Sequence, residues 1–139
     1  MKLFKWSASY LIYVADLDRE HQDVFRTADR LHRGLLEGTP LDELRADLDG
    51  ILAHVGEHFI NEERMMRAAH YLSLPWHKQQ HDAARAKAAT LARRIRRGDR
   101  EAAVDLLQFL APWLKDHICV ADKMMAACLR NYQRARLAS

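Results

Sequence analysis

Seven residues of metal-ligating types are spaced so that they can act together: His21, His58, Glu62, His77, His81, His117 and Asp122. His58 and Glu62 are four residues apart, as are His77 and His81. On a helix that interval stacks two side chains on one face, where two imidazoles can share one ion. Glu62 falls in an apolar stripe that continues to Met65 and Met66, and a carboxylate there is costly to bury unless it is paired, neutralised or bound to a metal. His21 shares a face with Val24, Phe25, Ala28, Leu31 and Leu35, so it too points inward. The chemistry these types offer is metal coordination by nitrogen and oxygen.

Helices must position them, and the rest of the sequence supplies helices. The chain has 139 residues, 49% hydrophobic, 29% charged and 8% aromatic, which suits one domain with one core and excludes a multidomain machine. Residues 1–17, with Trp6, Tyr10 and Tyr13, show no clean period and read as an ordered N-terminal arm. Asp18 is the expected N-cap of a first helix to about Glu37, ended by Gly38. Thr39 and Pro40 open a second helix to about Ala69, and Ser73, Leu74 and Pro75 a third that Gly98 closes after Arg97. Asp99 caps a fourth to about Arg134. Apolar residues recur at helical intervals, as in Leu41, Leu44, Leu48, Ile51, Val55 and Phe59, and no alternating run competes with them. The expectation is an all-α, antiparallel up-down-up-down four-helix bundle over 18–134, within a single domain 1–139. Pro112 removes a helix hydrogen bond and crowds the Gln108 carbonyl, which predicts a kink, or a break that splits the fourth helix.

In such a bundle the starts of the first and third helices and the ends of the second and fourth share one end, so all seven residues converge. Five imidazoles and two carboxylates exceed the needs of one tetrahedral zinc and suit two ions, with carboxylates bridging and histidines capping. His117 and Asp122 are the difficulty. Five residues apart on an α-helix, they lie roughly 140° out of phase. Leu114, Ile118, Ala121 and Met125 fall between them on the wheel, so the two flank the inward face from either side. His32, eleven residues from His21 and roughly 16 Å along the axis, is too far for the same ion, and His70 falls at a helix end.

The pieces together resemble a bacterial hemerythrin, a non-heme di-iron oxygen-binding bundle. The resemblance runs from Trp6 through Leu17, Asp18 and His21, then His58-Phe59-Ile60-Asn61-Glu62-Glu63, His77-Lys78-Gln79-Gln80-His81, Trp113-Leu114-Lys115-Asp116-His117-Ile118 and Asp122, nearly the whole chain. By that resemblance His77, His81 and His117 hold one iron, His21 and His58 the other, and Glu62 and Asp122 bridge them, with an oxo or hydroxo bridge expected. It further implies that dioxygen binds as a hydroperoxide on the iron held by two histidines and leaves again as dioxygen, for transport, storage or delivery, so that no enzymatic role is expected. An apolar lining suits that chemistry, and Leu114, Phe25, Phe59, Ile118 and Trp113 are its candidates, with Leu114 over the ligand position. Tyr13 stands where that family usually has glycine, so the arm is open to a different course. His54, one turn before His58, is either a partner behind it or a residue of the helix flank.

Other readings compete. A di-iron oxygen or redox sensor, a peroxidase-like protein and an iron store share the same site. His54-Val55-Gly56-Glu57-His58 matches the H-x-x-E-H pattern of inverted zinc peptidases, but that reading leaves the other candidate ligands unexplained. A ferritin-like oxidase calls for Glu-x-x-His pairs, which the chain lacks. A net charge of +3 does not require a polyanionic partner, and the run Arg93, Arg94, Arg96, Arg97, Arg100 reads as a solvated face without interleaved aromatics, so no nucleic acid is expected. No stretch approaches the roughly 20 apolar residues of a membrane span. Cys119 and Cys128 read as small buried residues about 13 Å apart along one helix, which fits a reducing, cytoplasmic setting. The partner expected is dioxygen.

Overall fold

A computed structural model describes residues 2–138; residues 1 and 139 of the expected domain lie outside them. After an arm with one 3-10 turn at Ala8–Tyr10 come α1 (Ala15–Leu36), α2 (Leu41–Ala68), α3 (Leu74–Arg96) and α4 (Arg100–His117). A π turn, Ile118–Asp122, joins α4 to α5 (Lys123–Ala138), which continues the same rod. The fold is a four-helix bundle with an arm, and the described residues contain no strand. Leu17, Leu31, Ile51, Met66, Leu106 and Met125 sit at its axis with no exposure.

Local sequence accounts for most boundaries. Gly38 and Gly98 take φ of +80° and +88° after α1 and α3, where a Cβ would be strained. Their motifs close with Thr39 N–H donating to Gly34 C=O at 3.0 Å and Asp99 N–H to Arg94 C=O at 3.1 Å. Asp99 caps α4 through the Ala102 N–H, as expected. Two starts differ. Pro40 occupies the cap and α2 begins at Leu41, one residue later than a Thr39 cap places it. Asp18 is no N-cap: α1 starts at Ala15, four residues earlier than an Asp18 cap places it, and the Asp18 carboxylate instead accepts the Ile12 N–H at 2.8 Å and the Tyr13 N–H at 3.0 Å. It pins the arm to the helix.

The arm is fastened along its length. Phe4, Trp6 and Tyr10 pack around Phe25, with ring centroids 5.3 to 6.0 Å from it. Lys115 and Lys123 donate to the Leu3 and Ser9 carbonyls at 2.7 Å. Tyr13 adopts φ +62°, the left-handed conformation that glycine tolerates best, with its side chain exposed.

The break expected at Pro112 is not there. α4 runs unbroken through it, because Gln108 and Pro112 both lie on the exposed side, where water can serve the unbonded carbonyl. The interruption comes six residues later, in the π turn.

Candidate metal centre

The π turn resolves the phase problem of the fourth rod. In an i→i+5 turn, residues five apart lie one turn apart on the same face. His117 and Asp122 therefore face the axis together, with Asp122 Oδ1 3.1 Å from His117 Nε2, rather than flanking it from two sides. The other donors arrive as the chain direction requires: His21 from the start of α1, His58 and Glu62 from the end of α2, His77 and His81 from the start of α3. All seven are between 0 and 4% exposed.

Their donor atoms form two sets that share both carboxylates. His77, His81, His117, Glu62 and Asp122 make one; His21, His58, Glu62 and Asp122 make the other. In the first, His77 and His81 Nε2 each stand 3.1 Å from His117 Nε2 and 3.1 Å from Glu62 Oε1, and His77 Nε2 is 3.2 Å from Asp122 Oδ1. Donors about 2.1 Å from one ion are about 3.0 Å apart at right angles and about 3.4 Å apart at the tetrahedral angle. The spacing fits edges of an octahedron. In the second set His21 and His58 Nε2 are 2.8 Å apart, Glu62 Oε2 is 2.7 Å from His58, and Asp122 Oδ2 is 3.2 Å from His21. Each carboxylate thus turns one oxygen to each set, the posture of a bridge.

Three histidines are fixed from behind. His58 Nδ1–H donates to Glu20 Oε1 at 2.7 Å, His81 Nδ1–H to Glu63 Oε2 at 2.7 Å and His117 Nδ1–H to Gln80 Oε1 at 2.9 Å. That tautomer leaves the Nε2 lone pair free for a metal. Asn61 donates to the other Glu20 oxygen, and Arg85 pairs with Glu63 at 2.8 Å. Glu62 Oε2 and both Asp122 oxygens are buried without a hydrogen bond, which costs free energy unless a cation meets them. Electrostatics agree. Burial alone would raise the Glu62 carboxyl, but the His58 charge and the neighbouring imidazoles of His21 and His77 hold it well below the usual range. Burial alone would lower His58, yet Glu62 and the hydrogen bond to Glu20 push it up to about 10. The donor set and its unsatisfied carboxylate oxygens fit a pair of metal ions.

Comparison with known families decides the lineage: the model described as Hemerythrin HHE cation binding domain matches residues 13–129. The chain belongs to the hemerythrin family. It is 30% identical to the bacteriohemerythrin of Methylococcus capsulatus over 93% of this chain and 98% of that protein. It is 29% identical to myohemerythrin-1 of Phascolopsis gouldii, over 86% and 88% of the two. A crystal structure of wild-type hemerythrin superposes with a TM-score of 0.83 at 29% identity, covering 90% of this chain and 96% of that one.

The expected lining of this hemerythrin-family site divides. Phe59 stacks on the His81 ring, centroids 4.0 Å apart and planes 10° from parallel, and Trp113 stacks on His117 at 4.5 Å and 12°. Both cover the set with three histidines. Leu114 and Ile118 are buried on either side of His117 in sequence, while Phe25 belongs to the aromatic cluster that holds the arm. His54 is exposed on the α2 flank and joins neither donor set among the described residues, so the H-x-x-E-H pairing with His58 is not built. His32 and His70 stay outside as well. Cys119 is exposed on the π turn rather than buried, and Cys128 is half-buried. Within the basic run, Arg100 donates to the Leu35 C=O at 2.9 Å and Arg94 pairs with Asp99 and Asp105, so the face is partly structural. Sequence reasoning gave no role to Glu20, Glu63, Gln80 or Arg85. The first three each adjoin a candidate ligand in the chain, the one signal available.

Proposed function

We propose that the chain binds dioxygen reversibly at two iron ions, one held by His77, His81 and His117, the other by His21 and His58, with Glu62 and Asp122 bridging. The observation that carries this reading is the unequal division of donors, five in one set and four in the other. The smaller set, with one donor fewer, would leave an ion held there more open to an outside ligand. Two ferrous ions held by these residues would supply the two electrons that reversible binding of dioxygen as a hydroperoxide requires.

The protein's part is to hold and to shield. Glu20, Glu63 and Gln80 fix the imidazole tautomers; Phe59 and Trp113 cover the rings; the buried donors leave little room for water, which favours return of the ligand over its reduction. Leu114, buried one turn before His117, is assigned to the ligand position. Leu114→Ala is expected to leave iron content unchanged and speed autoxidation; an unaltered rate would remove Leu114 from that role. Carriage rather than catalysis predicts that iron-loaded protein in an oxygen electrode takes up dioxygen, returns it as the pressure falls, and consumes no added electron donor. Steady donor consumption would instead mark peroxidase-like turnover. Uptake of iron well beyond two per chain would mark storage, and oxidation that never reverses would defeat reversible carriage.

A further inference from the structure

Behind the Phe59 ring, a cleft of about 270 Å³ opens between α2 and α3. Its walls are Val55, Gly56 and Phe59 of α2, Ala84 and Ala88 of α3 and Leu110 beneath. Small side chains make the space: a Cβ built on Gly56 meets no heavy atom within 4 Å. An apolar hollow left open to water is a place where a fitting apolar group gains by burial. The hollow is too small for a two-chain lipid and suits one slender tail.

Two arginines stand on its rim, Arg85 and Arg96, eleven residues and roughly 16 Å apart along α3. Arg85 is committed: its guanidinium pairs with Glu63 at 2.8 Å and Asp82 at 3.0 Å and lies over the Phe59 ring at 5.3 Å. Arg96 is exposed and has no ion-pair partner among the described residues. The cleft therefore offers one free guanidinium at an end and an apolar trough leading from it. A planar carboxylate matches a guanidinium in two parallel hydrogen bonds. We propose that this cleft binds a free monocarboxylate with a straight apolar tail, its carboxylate on Arg96 and its tail against Gly56, Ala84 and Ala88. Phe59 is both the inner wall and the ring stacked on His81, so the occupant lies one side chain from a metal donor.

Calorimetric titration of the purified full chain with decanoate, below its micelle concentration, tests this. Saturable binding of one decanoate per chain is expected. Gly56→Leu, which fills open space and replaces a helical glycine, should weaken it by at least about tenfold while helix content and metal content stay unchanged. Arg96→Gln should weaken it roughly fivefold, the scale of one exposed ion pair, and 1-decanol should bind more weakly than decanoate and be indifferent to Arg96→Gln. Should Gly56→Leu fold poorly, Ala88→Met fills the same trough from α3. No saturable binding, unchanged binding in a well-folded filled variant, or decanol binding as tightly as decanoate would each overturn the proposal.

Discussion

His58 and His77 carry the sharpest consequence of burying five imidazoles around two carboxylates. Burial alone would lower both, but Glu62, with Glu20 for His58 and Asp122 for His77, raises them to about 10 and about 9. A histidine with a raised folded-state pKa contributes stability that is fully present below its unfolded value of about 6.5 and is lost as pH rises through the folded value. The metal-free chain should therefore melt at progressively lower temperature between about pH 7 and pH 10. Over the same window metal affinity should rise, because the ligands must release protons to bind. Melting curves and calorimetric proton release check both; a pH-independent metal-free Tm would contradict the assignment. At Tyr13 the argument is steric. A non-glycine residue at φ +62° is strained, so Tyr13→Gly should stabilise the chain by about 1 kcal/mol in urea unfolding, and a loss of stability would contradict it. The seven residues that the bundle brings together were legible in the sequence because polar residues on apolar stripes are conspicuous. Glu20, Glu63 and Gln80 were not, since a polar residue beside a stripe looks like any solvated flank until a neighbouring helix brings an imidazole Nδ1 to it.

The π turn is the decisive element. Its signal was in the sequence as a five-residue interval between His117 and Asp122, but α-helical phase made the interval look discordant. Only closure of the bundle, which requires both residues at the axis, selects the wider turn. The break allowed at Pro112 is absent for a related reason: the effect of a helical proline depends on whether its face meets water, and that is a tertiary fact. A π turn behaves as one extra residue in an α-helix, which gives an asymmetric prediction. Deleting exposed Cys119 should restore a four-residue interval and keep Met125, Ala126 and Leu129 in the core. Inserting one alanine there should swing α5 by about 100° and destroy both packing and metal binding. Circular dichroism, melting and metal content report on both variants; equal tolerance of deletion and insertion would refute the account.

At the scale of the molecule, the bundle brings two helix starts and two helix ends to one level, and the arm, held by Asp18 and by lysines of the fourth rod, closes over Phe25. Helix number, order and the glycine stops at Gly38 and Gly98 followed from local signals that tertiary structure did not override. The course of the arm did not, because Asp18 serves two backbone N–H groups that periodicity cannot reveal. The central claim is that seven donors divide into two sets joined by two shared carboxylates. Anaerobic titration of the metal-free chain with ferrous iron, followed by desalting and metal analysis, tests it most directly. Two irons per chain are predicted, falling well below two in Glu62→Ala; saturation at a single iron in the wild-type chain would contradict the division.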